Sequence, residues 1–193
     1  MPTAVLEDQA DGAARGALFC QQFVQAFIDC NKPIIAAVTG PAMGIATTTL
    51  FLCDFVYATA DSTFQTNFVQ LAQGPEGCSS LLFPRYLGKA LAADMILLGK
   101  KVTASDFERV GFLNGILPNK HAVKAKALEV ATQIAEYDPA TVLACKRLMQ
   151  QDKEMLTAAN ERENANLKER WAADACKEAA MKFLSKKKQK PKL

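Results

Sequence analysis

Hydrophobic and polar positions change rhythm several times along the chain, and each change marks an element. Between Ala17 and Cys30 the apolar residues Leu18, Phe23, Phe27 and Ile28 recur near helical spacing. That predicts an amphipathic helix ended by Asn31-Lys32-Pro33, because proline disfavours helix in the residue before it. The run IIAAV (34–38) is apolar without alternation and reads as a strand buried on both faces. TGPAMGI follows as a glycine-bounded turn, ATTTLFLC as a buried helix, DFVYATA as a strand and STFQTNF as a short strand. This is a β-β-α rhythm rather than simple β-α-β alternation. The first 16 residues are small and polar and predict irregular chain.

From Ser79 onward helical spacing dominates. Residues 85–98 predict one helix, Gly99-Lys100-Lys101 a turn, and Thr103 or Ser105 the cap of a short helix with Asp106 and Glu108 in its first turn. LNGILP reads as a brief edge strand. Helices are predicted at 121–136 and about 140–152. The stretch 154–184 is helical and highly charged, with apolar Leu156, Leu167, Trp171 and Phe183 at intervals. Too polar for a core, it reads as a helix packed on a neighbouring domain or subunit. The lysine-rich end, 185–193, reads as disordered.

The stretch 64–80, FQTNFVQLAQGPEGCSS, holds a single carboxylate, Glu76, between Pro75 and Gly77. Gly74 and Gly77 allow the backbone to come close to a ligand. Taken alone, Glu76 reads as an acidic loop residue facing water.

Composition narrows the classes. The 193 residues suit one domain, and half are hydrophobic. A net charge of +3, concentrated at the end of the chain, is too small for a nucleic-acid-tracking surface. No apolar run reaches membrane-spanning length, and the acidic start lacks a signal core. The six cysteines show no CxxC pair, so buried, reduced thiols are expected rather than disulfides or zinc. The only histidine, His121, reads as a surface residue in a loop before a helix.

KPIIAAVTGPAMGIATTTLFLCDFVYATADSTF resembles the central segment of the crotonase (enoyl-CoA hydratase/isomerase) superfamily. RYLGKALAADMILLGKKVTASDFERVGFLNGILP continues it, with Gly88, Ala93, Gly99, Ala104 and Gly111 at small-residue positions. GPAMGIA together with GPEGCSS is similar to the Δ3,Δ2-enoyl-CoA isomerases of peroxisomes. The resemblance implies an α/β fold: a crotonase-like ββα spiral, N-terminally truncated, followed by a C-terminal helical trimerisation region. Within a single domain over 1–193, it implies a ββα core remnant at 17–120, C-terminal helices at 121–184 and a basic tail at 185–193.

The resemblance also implies the chemistry. The backbone N–H of Ile45, opened by Gly44, matches one donor of an oxyanion hole for a thioester oxygen. Hydratases of the family carry carboxylates where this chain has Thr48 and Asn67-Phe68, so hydration is disfavoured. The isomerase carboxylate falls on Glu76, implied as the single acid/base. Phe68 and Leu71 are expected at the acyl chain, along with Phe64 and Leu81, although core packing explains these residues equally well. Lys186 matches a lysine near the CoA phosphates, against the plainer reading of a solvated tail lysine. No cofactor is implied beyond the CoA of the substrate. The implied partners are an acyl-CoA thioester and further copies in a homotrimer or dimer of trimers, with no nucleic acid and no transmembrane segment. The closing Pro-Lys-Leu is similar to the Ser-Lys-Leu address, implying peroxisomes, with the cytosol as the alternative. One departure is expected: the loop that gives the family its other oxyanion donor has no match here, and one lost donor costs on the order of 100- to 1,000-fold in rate. A fragment, a truncated gene model or a short isoform would explain it. A catalytically inactive crotonase-like scaffold is therefore the competing reading, with a basic-tail nucleic-acid binder third.

Overall fold

The structure is a computed structural model that describes residues 3–150 and 152–188. Helix α1 runs over Thr3–Asp29, followed by strands β1 (Ile35–Val38) and β2 (Pro41–Met43). Helix α2 (Ile45–Thr48) continues as a 3-10 turn over Thr49–Leu52 and leads to β3 (Phe55–Thr59) and β4 (Thr63–Gln65). After a long loop come α3 (Ser79–Leu98), β5 (Val102–Thr103), α4 (Ala104–Arg109) and β6 (Gly115–Leu117). Four helices follow: α5 (Lys120–Ala135), α6 (Pro139–Met149), α7 (Lys153–Ala172) and α8 (Asp174–Lys188).

The β-β-α rhythm builds two sheets at once. One has the order β1-β3-β6, all parallel; in the other, β2 pairs parallel with β4 and β4 antiparallel with β5. The chain steps from the first sheet to the second between β1 and β2, and again between β3 and β4. Ser62 ties both corners together: its hydroxyl accepts from Gly40 N–H at 3.2 Å, donates to Val38 C=O and meets Thr59 Oγ1 at 2.9 Å. Between the layers lies an aromatic core, with Phe64 stacked on Phe107 (4.4 Å) and Phe51 on Phe112 (3.9 Å). A smaller cluster of Tyr57, Val123 and Val130 packs α5 on the outer face of the first sheet.

Several expectations change. Residues 3–16 are helical rather than irregular, because Ala13 and Ala17 are buried and Gly16 lies against the Trp171 ring. The buried stripe of α1 is Ala13, Ala17, Val24 and Ile28, whereas Leu18 and Phe23 are exposed. β1 is not buried on both faces, since it lies at the edge of its sheet. The turn TGPAMGI contains a strand, β2. Helix α3 begins at Ser79, earlier than the 85–98 reading, and kinks at Gly88. The charged 154–184 stretch is two helices broken at Ala173. Its first half packs within the chain, burying Ala159, Asn160, Glu163 and Leu167 and lying along α1. Residues 185–188 continue α8; 189–193, including Pro-Lys-Leu, lie outside the described residues. Thr103 is the cap of α4, in a reciprocal box with Asp106, and His121 falls inside α5 rather than before it. The cysteines are free, but Cys145 is exposed and Cys78 alone is classed as buried. No described helix is long and apolar enough to cross a membrane.

Candidate active site

Two successive β-β-α turns place their strand ends side by side, and the site forms where they meet. Gly44, at φ 58°, leaves β2 and donates its N–H to Gln65 C=O at the end of β4, 2.9 Å away. Ile45 is then the first residue of α2, a position whose N–H has no acceptor within its own helix. One turn further on, the Thr48 hydroxyl lies 3.1 Å from both Oε1 and Oε2 of Glu76 and donates to that carboxylate. Glu76 and the glycine turn that begins α2 are thus joined through a single helical turn.

Glu76 does not face water: it is 7 % exposed. Burial pushes its carboxyl up to about 8, opposed by the Thr48 bond and reinforced by the charge of Glu163. The tight turn that carries it is fixed from several sides. Its carbonyl accepts the Ser79 hydroxyl at 2.6 Å and the Ser79 N–H at 3.2 Å. Gly77, at φ 67°, lies so close to Thr48 that a Cβ there would overlap the Thr48 side chain. A Cβ at Gly74 would strike Asn166 on α7 in the same way. Both glycines therefore allow close approach, but to the protein's own side chains. Trp171, further along α7, donates its indole N–H to Gln73 at 2.5 Å.

Helix α7 also supplies a residue that sequence reasoning missed. Glu163, buried at 6 % exposure, accepts the Cys78 N–H at 2.7 Å and the Ser80 N–H at 2.8 Å. Burial raises its carboxyl, while the amide bonds favour the charged form. A signal existed: Ala159, Glu163 and Leu167 are spaced by four and share one helix face. From α1, the Cys20 thiol is pushed up to about 12 by burial first, then by the charges of Glu76 and Glu163. Helix α1 lies along α7 on either side of Glu163, through the Gln21 contacts to Asn160 and Asn164.

The remaining expected residues are scattered. Phe68 is fully buried, Leu71 and Leu81 are half-buried, and Phe64 belongs to the aromatic core. Asn67 is buried, its amide against the Met43 sulfur. Lys186 lies in α8, its side chain outside the described residues. A cleft of about 420 Å³ lies elsewhere, lined by Phe27, Phe51, Tyr86, Phe112 and Leu156 among others. Both of its carboxylates are already paired, Asp54 with the buried Lys146 and Asp152 with Arg85, each at 2.7 Å.

Known proteins match nearly the whole chain. The family model for enoyl-CoA hydratase/isomerase matches residues 7–192. The rat protein named enoyl-CoA delta isomerase 2 is 40 % identical, covering 95 % of this chain and 46 % of its own length. Mouse enoyl-CoA delta isomerase 3, peroxisomal, is 36 % identical over 92 % of this chain and 56 % of its own. The chain thus spans about half the length of these relatives. Among solved structures, an enoyl-CoA hydratase/isomerase from Pseudoalteromonas atlantica T6c superposes with a TM-score of 0.81 at 33 % identity, over 89 % of this chain and 68 % of its own. The fold, the two strand-end turns and these matches agree: the chain belongs to the enoyl-CoA hydratase/isomerase family.

Proposed function

We propose that the chain carries the acid/base half of an enoyl-CoA delta isomerase, moving a 3-enoyl-CoA double bond to the 2-trans position in fatty-acid β-oxidation. The observation that carries this reading is the buried carboxylate of Glu76, pushed up to about 8 and bonded to the helix that begins at Ile45. The thioester carbonyl accepts the Ile45 N–H, and Glu76 in its ionised form takes a proton from C2. Negative charge moves onto the thioester oxygen as a dienolate, where a pre-aimed N–H in a dry site counts most. Glu76 then delivers the proton to C4, and the double bond moves into conjugation; no proton is gained or lost overall. A base that titrates near the working pH suits both transfers. With Thr48 and Asn67 at the positions of the hydratase carboxylates, no second acid is placed to activate water. Because Glu76 is shut from solvent, substrate entry requires its surroundings to open.

Turnover of a trans-3-enoyl-CoA by the 193-residue chain, beside Glu76→Gln, tests the reading. Loss of at least about 1,000-fold in kcat with substrate binding retained is expected for a group acting in both proton transfers. A Glu76→Gln variant as active as the parent would remove the assignment. No turnover in the parent would favour a catalytically inactive member of the family. We extend the proposal to peroxisomes through the Pro-Lys-Leu end; a fluorescent protein bearing residues 185–193 that stays cytosolic would remove that part.

A further inference from the structure

Behind the Glu76 loop stands a second buried carboxylate for which the isomerase mechanism has no use. Glu163 comes from α7, 85 residues beyond Cys78, and its two oxygens fork across the Cys78 and Ser80 amides at 2.7 and 2.8 Å. Those amides belong to the N-cap and second residue of α3, positions that no carbonyl of the helix itself serves. An anion held by two N–H groups at a helix start is stabilised both by the bonds and by the helix dipole. Glu76 accepts one hydroxyl, that of Thr48.

Two neighbouring buried carboxylates resist ionising together. The bonding decides which one holds the charge: the amide fork favours the anion at Glu163, leaving the proton to Glu76. The other titratable and charged groups facing the pair do not reverse this. From α1 comes Cys20, and from the loop Cys78; both thiols are pushed up to about 12, so they stay neutral. On α7 itself, Arg162 favours the Glu163 anion.

Resting on the reading of Glu76 as the base, we propose that Glu163 is a positioning residue for the reaction. Its carboxylate fixes the backbone directly behind Glu76 and, as the standing anion of the pair, sets the pH above which Glu76 can accept a proton. A brace alone would hold the loop without touching that pH.

The test is a carbon-13 NMR titration of the full chain labelled at the glutamate side-chain carboxyls, in the parent, Glu163→Gln and Glu76→Gln. Glu163→Gln should move the Glu76 midpoint down, because a like charge has gone. Glu76→Gln removes the higher of the two titrations and so assigns the signals, and the Glu163 midpoint should lie below that of Glu76 in the parent; this arm stands even if Glu163→Gln fails to fold. A Glu76 midpoint unmoved by Glu163→Gln, or a Glu163 midpoint above that of Glu76, would overturn the proposal. In the isomerase assay, Glu163→Gln should lower kcat on the order of 10- to 100-fold with KM little changed. It should also shift the acid limb of the pH profile downward. A fall in rate with an unmoved limb would reduce Glu163 to a brace and overturn the tuning role. Glu76→Gln turning over like the parent would instead strike the proposed function, while the titration still decides the coupling.

Discussion

Phe107 and Glu76 are both shut away from water, at 0 % and 7 % exposure, yet their surroundings work by different physics. Phe107 sits among Phe51, Phe64 and Phe112, with ring centroids between 4.4 and 5.8 Å. Its contribution comes from area and close packing, which have no titrating partner and tolerate small adjustments. Glu76 is held by directed contacts instead: the Thr48 hydroxyl on one side, the Ser79 bonds to its carbonyl, and the α7 side chains behind its loop. Such an arrangement costs stability to build, because a carboxyl must leave water. The difference locates the chemistry where the chain tolerates a polar group it would otherwise expel.

The sharpest way to break this contrast is Phe107→Ala. It should cost about 4 kcal/mol of unfolding free energy, nearly equal at pH 5 and pH 8.5, read from denaturant midpoints. A marked pH dependence there would mean that the two regions are not separate.

Glu76→Gln should show the opposite signature. The carboxyl sits at about 8 in the folded chain against an ordinary 4.5, so between those values the folded state holds a proton that the unfolded state has released. Parent stability is therefore fully present below about 4.5 and falls as pH rises towards 8. The variant, lacking that proton, should gain on the parent across this window by roughly 2 to 4 kcal/mol. A parallel pair of stability curves would contradict a buried, proton-holding Glu76.

The smallest expected effect is that of Thr48→Val, which keeps the shape and removes the donor to the carboxylate. The Glu76 midpoint should move up, on the order of one pH unit, and the acid limb of any isomerase profile should follow. An unmoved midpoint would mean that the Thr48 bond is idle.

Sequence pattern reached the β-β-α rhythm and most helix positions because those depend on local spacing and on turn chemistry, whereas Glu76 stood out only through the family resemblance. It missed β2 and β5, which are too short to carry a period and exist only through pairing with β4. It also misread α7 as a helix for another subunit, since a face bearing Asn160 and Glu163 does not look like an interior. Those residues are buried because each finds a distant partner: Asn160 the Gln21 carbonyl on α1, and Glu163 the amides at the start of α3. No window of neighbouring residues contains that information. The spacing around Glu76 would by itself suit a carboxylate pointing into water.

The seam between α1 and α7 has a consequence for how the molecule comes into being. Val24 and Ile28 await elements made later, and the Gln21 and Gln25 contacts to Asn160 span 139 and 135 residues. Loop closure over such distances is slow, and an emerging chain cannot complete it until α7 has left the ribosome. For most of synthesis, then, α1 is an amphipathic helix without its cover, and the Glu76 loop lacks the carboxylate that shapes it. The reacting group would be set among the last parts of the molecule, which makes nascent chains stalled short of residue 163 the species most in need of a chaperone.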